Sequence, residues 1–172
     1  MVISYNAVLK FPNMETESRY KEVLEAEKNC YNYLSQIFGR IDFKHHRLSR
    51  YDVQSEYYKE LRAKFPLLSS QMVLKVILEA VGNWTTCIAN EKDNFEPPTK
   101  KNLSMVLDKR LYNNLTRNTV DLTVPGFKRV HCTIETYEHL DKLFEVYRPQ
   151  NCNVFYRNGR FFLTILFDVP EI

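Results

Sequence analysis

Two hydrophobic periods divide this chain. The opening segment Val2-Ile3-Ser4-Tyr5-Asn6-Ala7-Val8-Leu9-Lys10-Phe11 mixes β-branched and aromatic side chains and ends at Pro12, which predicts a strand. The period then lengthens. Tyr20, Val23, Leu24, Tyr31, Leu34 and Phe38 recur at spacings of three, four and seven and describe one face of a helix. Asn13 or Thr16 can cap its start, and Gly39 is expected to stop it. A shorter helix is expected over roughly Val53 to Lys64, ending before Phe65-Pro66. Ser69 or Ser70 then caps a third helix with the apolar face Val73, Val76, Ile77, Ala80, Val81, Trp84 and Ile88. Trp84 lies on that face and is read as a core anchor. The pattern fades at Asn90, and Asp93-Asn94-Phe95-Glu96-Pro97-Pro98 reads as a linker, because a proline pair cannot continue a helix.

Beyond the linker the period returns to two. Leu103 to Leu107, Thr119 to Val124 and Val130 to Ile134 read as strands, with a turn at Pro125-Gly126. Thr136 to Leu143 supplies one or two helical turns. The sharpest local signal is Cys152 to Arg157, then Asn158-Gly159, then Arg160 to Phe167. Asn-Gly between two apolar runs predicts a two-residue type I′ hairpin, since both residues tolerate positive φ. One strand, several helices, then several antiparallel strands predicts an α+β fold, a β-barrel or curled sheet with a helical lobe inserted after its first strand. The expected division assigns residues 1–12 and 96–172 to the barrel and 13–95 to the helical lobe.

Charge changes this picture locally. The net charge is only +3, which permits a polyanionic partner without demanding one. Within Arg40 to Arg50, however, Arg40, Lys44, Arg47 and Arg50 face Asp42 alone. Tyr51, Tyr57, Tyr58, Lys59, Arg62 and Lys64 continue this basic and aromatic run. A second cluster comprises Lys100, Lys101, Lys109, Arg110 and Arg117, with Tyr112 among them and Asp108 as its one acid. Lysine and arginine neutralise phosphates, and interleaved rings can stack on unpaired bases. The bland alternative is that both clusters are solvated faces. Arg157 and Arg160 flank the hairpin turn as like-charged cross-strand neighbours, which an anion between them would relieve.

Other chemistry finds less support. The four cysteines, Cys30, Cys87, Cys132 and Cys152, are dispersed without a Cys-x-x-Cys pair, which fits reduced thiols in a cytoplasmic protein. Adjacent His45 and His46 lack nearby cysteine partners and read as surface residues in a basic loop. No spacing ties a nucleophile to a base. The N-terminus does not read as a signal peptide, and no run of about 18 apolar residues suggests a membrane span. No cofactor and no metal site is expected.

Order and particular residues resemble the N-terminal half of TnpB, the nuclease encoded by insertion sequences, and of its miniature type V CRISPR descendants. Val8-Leu9-Lys10-Phe11-Pro12, leading to a helix with Cys30-Tyr31-Asn32-Tyr33, is similar to the family's opening strand and its helix with an aromatic–Asn–aromatic step. Leu61-Arg62-Ala63-Lys64-Phe65-Pro66-Leu67-Leu68-Ser69-Ser70-Gln71 resembles the entry to the long recognition-lobe helix. Tyr156-Arg157-Asn158-Gly159-Arg160-Phe161, continuing to Val169-Pro170, resembles the last hairpin of the wedge barrel and its exit. The resemblance implies an oligonucleotide-binding-like wedge barrel and a recognition lobe that together bind a structured guide RNA, the target DNA duplex and the guide–target heteroduplex. Such proteins read duplexes by shape and backbone while base pairing supplies sequence. The family's three acidic RuvC residues would follow a segment like Val169-Pro170, and neither they nor its zinc ribbon occur here. A fragment, a split subunit or a truncated descendant without nuclease activity is therefore expected, with a RuvC-like half or a second copy as further partners. The competing classes are a nucleic-acid-binding regulator or nuclease inhibitor, and a protein-interaction domain.

Overall fold

A computed structural model describes residues 1–90 and 96–171. The fold is mixed α+β, with four helices and seven strands among the described residues. Strand β1 (Val2–Lys10) is followed by helices α1 (Met14–Arg40), α2 (Arg50–Lys64) and α3 (Ser70–Asn90). Strands β2 (Leu103–Leu107), β3 (Tyr112–Asn113), β4 (Thr119–Val124) and β5 (Lys128–Glu135) come next. Helix α4 (Glu138–Val146) precedes the hairpin of β6 (Pro149–Arg157) and β7 (Arg160–Asp168).

All seven strands form one antiparallel sheet in the order β2-β6-β7-β1-β5-β4-β3. β1 lies between β7 and β5 and pairs with β7 from Val2↔Asp168 to Leu9↔Phe161, so the lone N-terminal strand finds its partners among the C-terminal ones. The sheet curls into a nearly closed barrel. Its curvature brings Tyr112 of edge strand β3 into hydrogen-bonding reach of the Cys152 sulfur on β6, near the opposite edge. Alternation explains the interior: Ala7, Leu9, Val120, Leu122, Val124, Cys132, Val154, Leu163 and Ile165 are buried, while their neighbours along each strand point outward. The hairpin turn adopts the expected geometry, with φ of 52° at Asn158 and 78° at Gly159. Helix α4 packs by Phe144 edge-on to Phe167, 5.2 Å between centroids, and by its neighbour Tyr137 on Tyr5.

The chain divides into two compact units, Met1–Leu24 with Asn102–Ile172, and Glu25–Lys101. Both boundaries lie inside segments that the sequence pattern assigns to one side. The start of α1 belongs with the barrel because Tyr20 and Phe11 join Phe161 in an aromatic cluster, with centroids 4.9–5.9 Å apart. At the other boundary, Pro98 and Lys100 are tied into the helical unit. The Ser35 hydroxyl donates to the Pro98 carbonyl at 2.6 Å. Asn32 exchanges two hydrogen bonds with the Lys100 backbone at 2.7 and 2.9 Å. Of the expected linker, residues 93–95 lie outside the described residues.

Capping decides the helix starts. The Asn13 side chain accepts from the Thr16 amide at 2.9 Å, and Ser69 accepts from the Met72 amide at 3.3 Å. Helix α2 begins three residues earlier than its apolar pattern suggests, because Ser49 and Asp52 form a capping box. Gly39 does not end α1, which runs on through Arg40. In the helical unit Trp84 is buried, as its place on the apolar face implied, and its indole N–H donates to the buried Ser35 hydroxyl at 2.8 Å. Helix α3 is, among the described residues, long and apolar enough to cross a membrane by length and composition, with a mean hydropathy of 1.3. Here its Met72, Val73, Val76, Ile77, Ala80 and Trp84 are buried.

Candidate nucleic-acid interface

In the helical unit the basic stretch after α1 is a turn-rich loop with a fixed centre. Phe43 is fully buried, stacked on Phe38 with 4.5 Å between centroids and edge-on to Trp84 at 5.8 Å. Pinning Phe43 leaves Lys44, His45, His46 and Arg47 exposed in succession beside exposed Arg40 and Arg50. Asp42, at φ 53°, accepts the His45 and His46 amides on its backbone carbonyl and holds the His45 ring at 2.8 Å through its carboxylate. Neither histidine sits in a metal-ligand cluster: among the described residues no three His, Cys, Asp or Glu side chains are placed to share an ion.

Helix α2 presents a more mixed surface than the sequence count implied. Its exposed Arg50, Lys59 and Lys64 alternate with exposed Asp52, Glu56 and Glu60. Arg50 folds over the Tyr51 ring at 4.7 Å and donates to its hydroxyl at 2.7 Å, while Tyr51 stays 65% exposed. Lys64 covers the Tyr33 ring at 4.1 Å, and the Tyr33 hydroxyl donates to Glu60 at 2.6 Å. Tyr57 and Tyr58 are half-buried. Arg62 is not a free cation, since its guanidinium donates to the Leu68 carbonyl at 2.7 Å and braces the α2–α3 connection.

Lys100 requires a larger correction. Expected on an exposed basic patch, it lies within the helical unit with its side chain 11% exposed. Its ammonium is 2.5 Å from the Glu27 carboxylate and 3.9 Å from that of Glu79. Burial outweighs the attraction of Lys100 and pushes the Glu27 carboxyl up to about 7. The charge of Lys100 is thus spent internally. Its neighbour Lys101 is exposed.

In the barrel unit the cations converge without the help of Lys100. The Leu111 carbonyl accepts from the Thr123 amide at 2.9 Å and the Arg110 carbonyl from the Thr123 hydroxyl at 3.1 Å, placing Lys109 and Arg110 alongside the end of β4. Across the ladder, Thr123 pairs with Arg129 and Val124 with Lys128. All four cations are exposed. Arg19 of α1 reaches the same turn, with a guanidinium nitrogen 3.8 Å from the position a Cβ on Gly126 would occupy and its carbon 5.9 Å from the Phe127 ring centre. Arg19, Lys128 and Arg129 lie outside the two basic clusters that the sequence pattern marks. The Lys128-Arg129 doublet beside Pro125-Gly126 was the available signal. Arg117 is exposed on the β3–β4 connection, whereas Tyr112 is half-buried beside Cys152. Acids adjoin this cluster: the Asp108 carboxylate accepts the Arg110 amide at 2.8 Å, and Glu22 lies 3.8 Å from the Arg19 guanidinium. Asp121 is held below its usual carboxylate range by hydrogen bonds from Asn114 and His131.

Arg157 and Arg160 are exposed, direct partners in the β6–β7 register. Buried Cys30, Cys132 and Cys152 are pushed up to about 12 by desolvation, which makes them poor nucleophiles near neutral pH. The arrangement is therefore suited to holding polyanions at a basic barrel turn and a basic helical loop. Compared with protein-family models and with curated proteins, the chain gives no match.

Proposed function

We propose that this chain is a guide-RNA- and target-DNA-binding module of a TnpB-like RNA-guided effector, cytoplasmic and non-catalytic by itself. The observation that carries the reading is the exposed cluster Lys109, Arg110, Lys128 and Arg129 at one end of an antiparallel barrel. Four cations, two from the β2–β3 connection and two from the start of β5, can meet successive phosphates and release their counterions. The loop from Arg40 to Arg50 in the helical unit offers a second set. The order of strand, helical lobe and final hairpin is what the resemblance to the wedge and recognition lobe rests on.

The test is a titration of a structured RNA at two salt concentrations, with wild type beside a variant in which Lys109, Arg110, Lys128 and Arg129 are all changed to glutamate. These positions are exposed, so the variant should keep the wild-type circular dichroism. Its affinity should fall severely, and its log–log salt slope should become shallower by about three, since each of four lost phosphate contacts removes somewhat less than one. Equal affinities would remove the cluster from the interface, and salt-insensitive binding would overturn the phosphate mechanism. Purified protein with magnesium or manganese should leave DNA uncut.

A further inference from the structure

The outer face of β6 and β7 carries two phenylalanines that the barrel interior does not use. Strand alternation sends Val154, Phe161 and Leu163 inward, where they are buried, and Phe155 and Phe162 outward, where they are half-exposed. Phe155 and Phe162 are direct cross-strand partners with rings stacked at 5.0 Å and 14°. Two residues further along each strand, the same face presents Arg157 opposite Arg160. Among the described residues neither arginine pairs with a carboxylate. Beside Phe155 lies a hollow of about 320 Å³ lined by Asn102, Phe155, Tyr156 and Arg157. That volume is at the low end for small-molecule sites.

We propose that this hollow is a subsite for one unpaired nucleotide of single-stranded RNA, a proposal that rests on the nucleic-acid reading above. The base stacks on the free face of Phe155, Asn102 offers a donor and an acceptor to its edge, and the adjoining phosphate sits between Arg157 and Arg160. Charge decides against an apolar protein surface, which would leave two facing guanidinium groups uncompensated. The ring decides against a duplex, whose bases already stack on each other and offer no open face. A single strand satisfies both.

The experiment measures fluorescence anisotropy of a labelled oligouridylate of about ten nucleotides, with an oligothymidylate of equal length as comparison and the structured RNA run in parallel. Phe155→Leu keeps an apolar side chain but loses the π face, and should weaken oligouridylate binding about tenfold, the scale of one lost base stack. Phe155→Trp should bind like wild type, and its emission should be quenched as the oligonucleotide saturates it. Changing Arg157 and Arg160 together to glutamine should flatten the salt dependence. Wild-type affinity in Phe155→Leu, or unquenched emission in Phe155→Trp, would overturn the subsite. So would a Phe155-dependent preference for oligothymidylate. If the structured RNA still binds in those cases, only the subsite falls. If wild type binds neither RNA, the broader reading falls with it.

Discussion

Lys100 places its ammonium 2.5 Å from the Glu27 carboxylate, and both side chains are nearly sealed from solvent, at 11% and 3% exposure. A lysine that looked like part of a surface patch is instead an internal counter-ion. Its backbone is fixed as well, through the paired hydrogen bonds with Asn32.

Breaking that pair should unfold the helical unit before it says anything about binding. Lys100→Glu would place two buried carboxylates in contact, and removing one partner of a buried pair costs about 3–5 kcal/mol. Lys101→Glu, at an exposed position, should change stability by less than about 0.5 kcal/mol. Urea denaturation of the two variants separates these outcomes. A Lys100→Glu protein as stable as wild type would contradict the internal pairing.

The same site sets a pH dependence. Glu27 is raised from its usual 4.5 to about 7, chiefly by burial, so the folded state holds this proton more tightly than the unfolded chain. Its contribution is fully present below the unfolded value and is lost as pH rises through about 7. Stability should therefore decline between about pH 5 and 8, and Glu27→Gln should flatten that part of the profile. Asp52 and Asp121 are both lowered, by hydrogen bonds, and act only at more acid pH. Thermal melts across the range would reveal the slope, and an unchanged slope in Glu27→Gln would assign it elsewhere.

The Trp84 indole N–H donates to the Ser35 hydroxyl, which itself donates to the Pro98 carbonyl. Ser35→Ala would leave the buried indole N–H and the Pro98 carbonyl each short of a hydrogen bond. A loss of about 1 kcal/mol for each hydrogen bond removed is expected. Denaturation followed by Trp84 emission reads this directly.

Two glycines should respond oppositely to alanine. Gly82 lies inside α3 with nothing within 4 Å of an added Cβ, so Gly82→Ala should stabilise by about 0.5–1 kcal/mol. Gly159 also has open space, but its φ of 78° is strained for alanine, and Gly159→Ala should cost about 1–2 kcal/mol. Paired melting curves decide both signs.

Local rules were enough for the elements whose cause is local. The Asn158-Gly159 hairpin follows from which residues accept positive φ, and Trp84 on its helical face follows from a 3.6-residue period. The α+β class and the strand-first order follow from where the period changes. What the sequence could not determine depends on pairs far apart along it. The capping box of Ser49 and Asp52 starts α2 three residues ahead of Val53, its first buried apolar position. The two-residue strand β3 exists because β4 offers it a ladder, a partner that short local pattern cannot announce. Lys100 and Arg110 look alike as cations in the chain, yet one meets Glu27, 73 residues away, and the other stays at the surface. Arg129 joins Arg110 only because β4 and β5 lie side by side and Thr123 bridges to the β2–β3 connection. Composition and period report what each residue prefers, whereas the fate of a charge is set by which distant group the fold brings within a few ångströms. That selection is made by the tertiary structure alone.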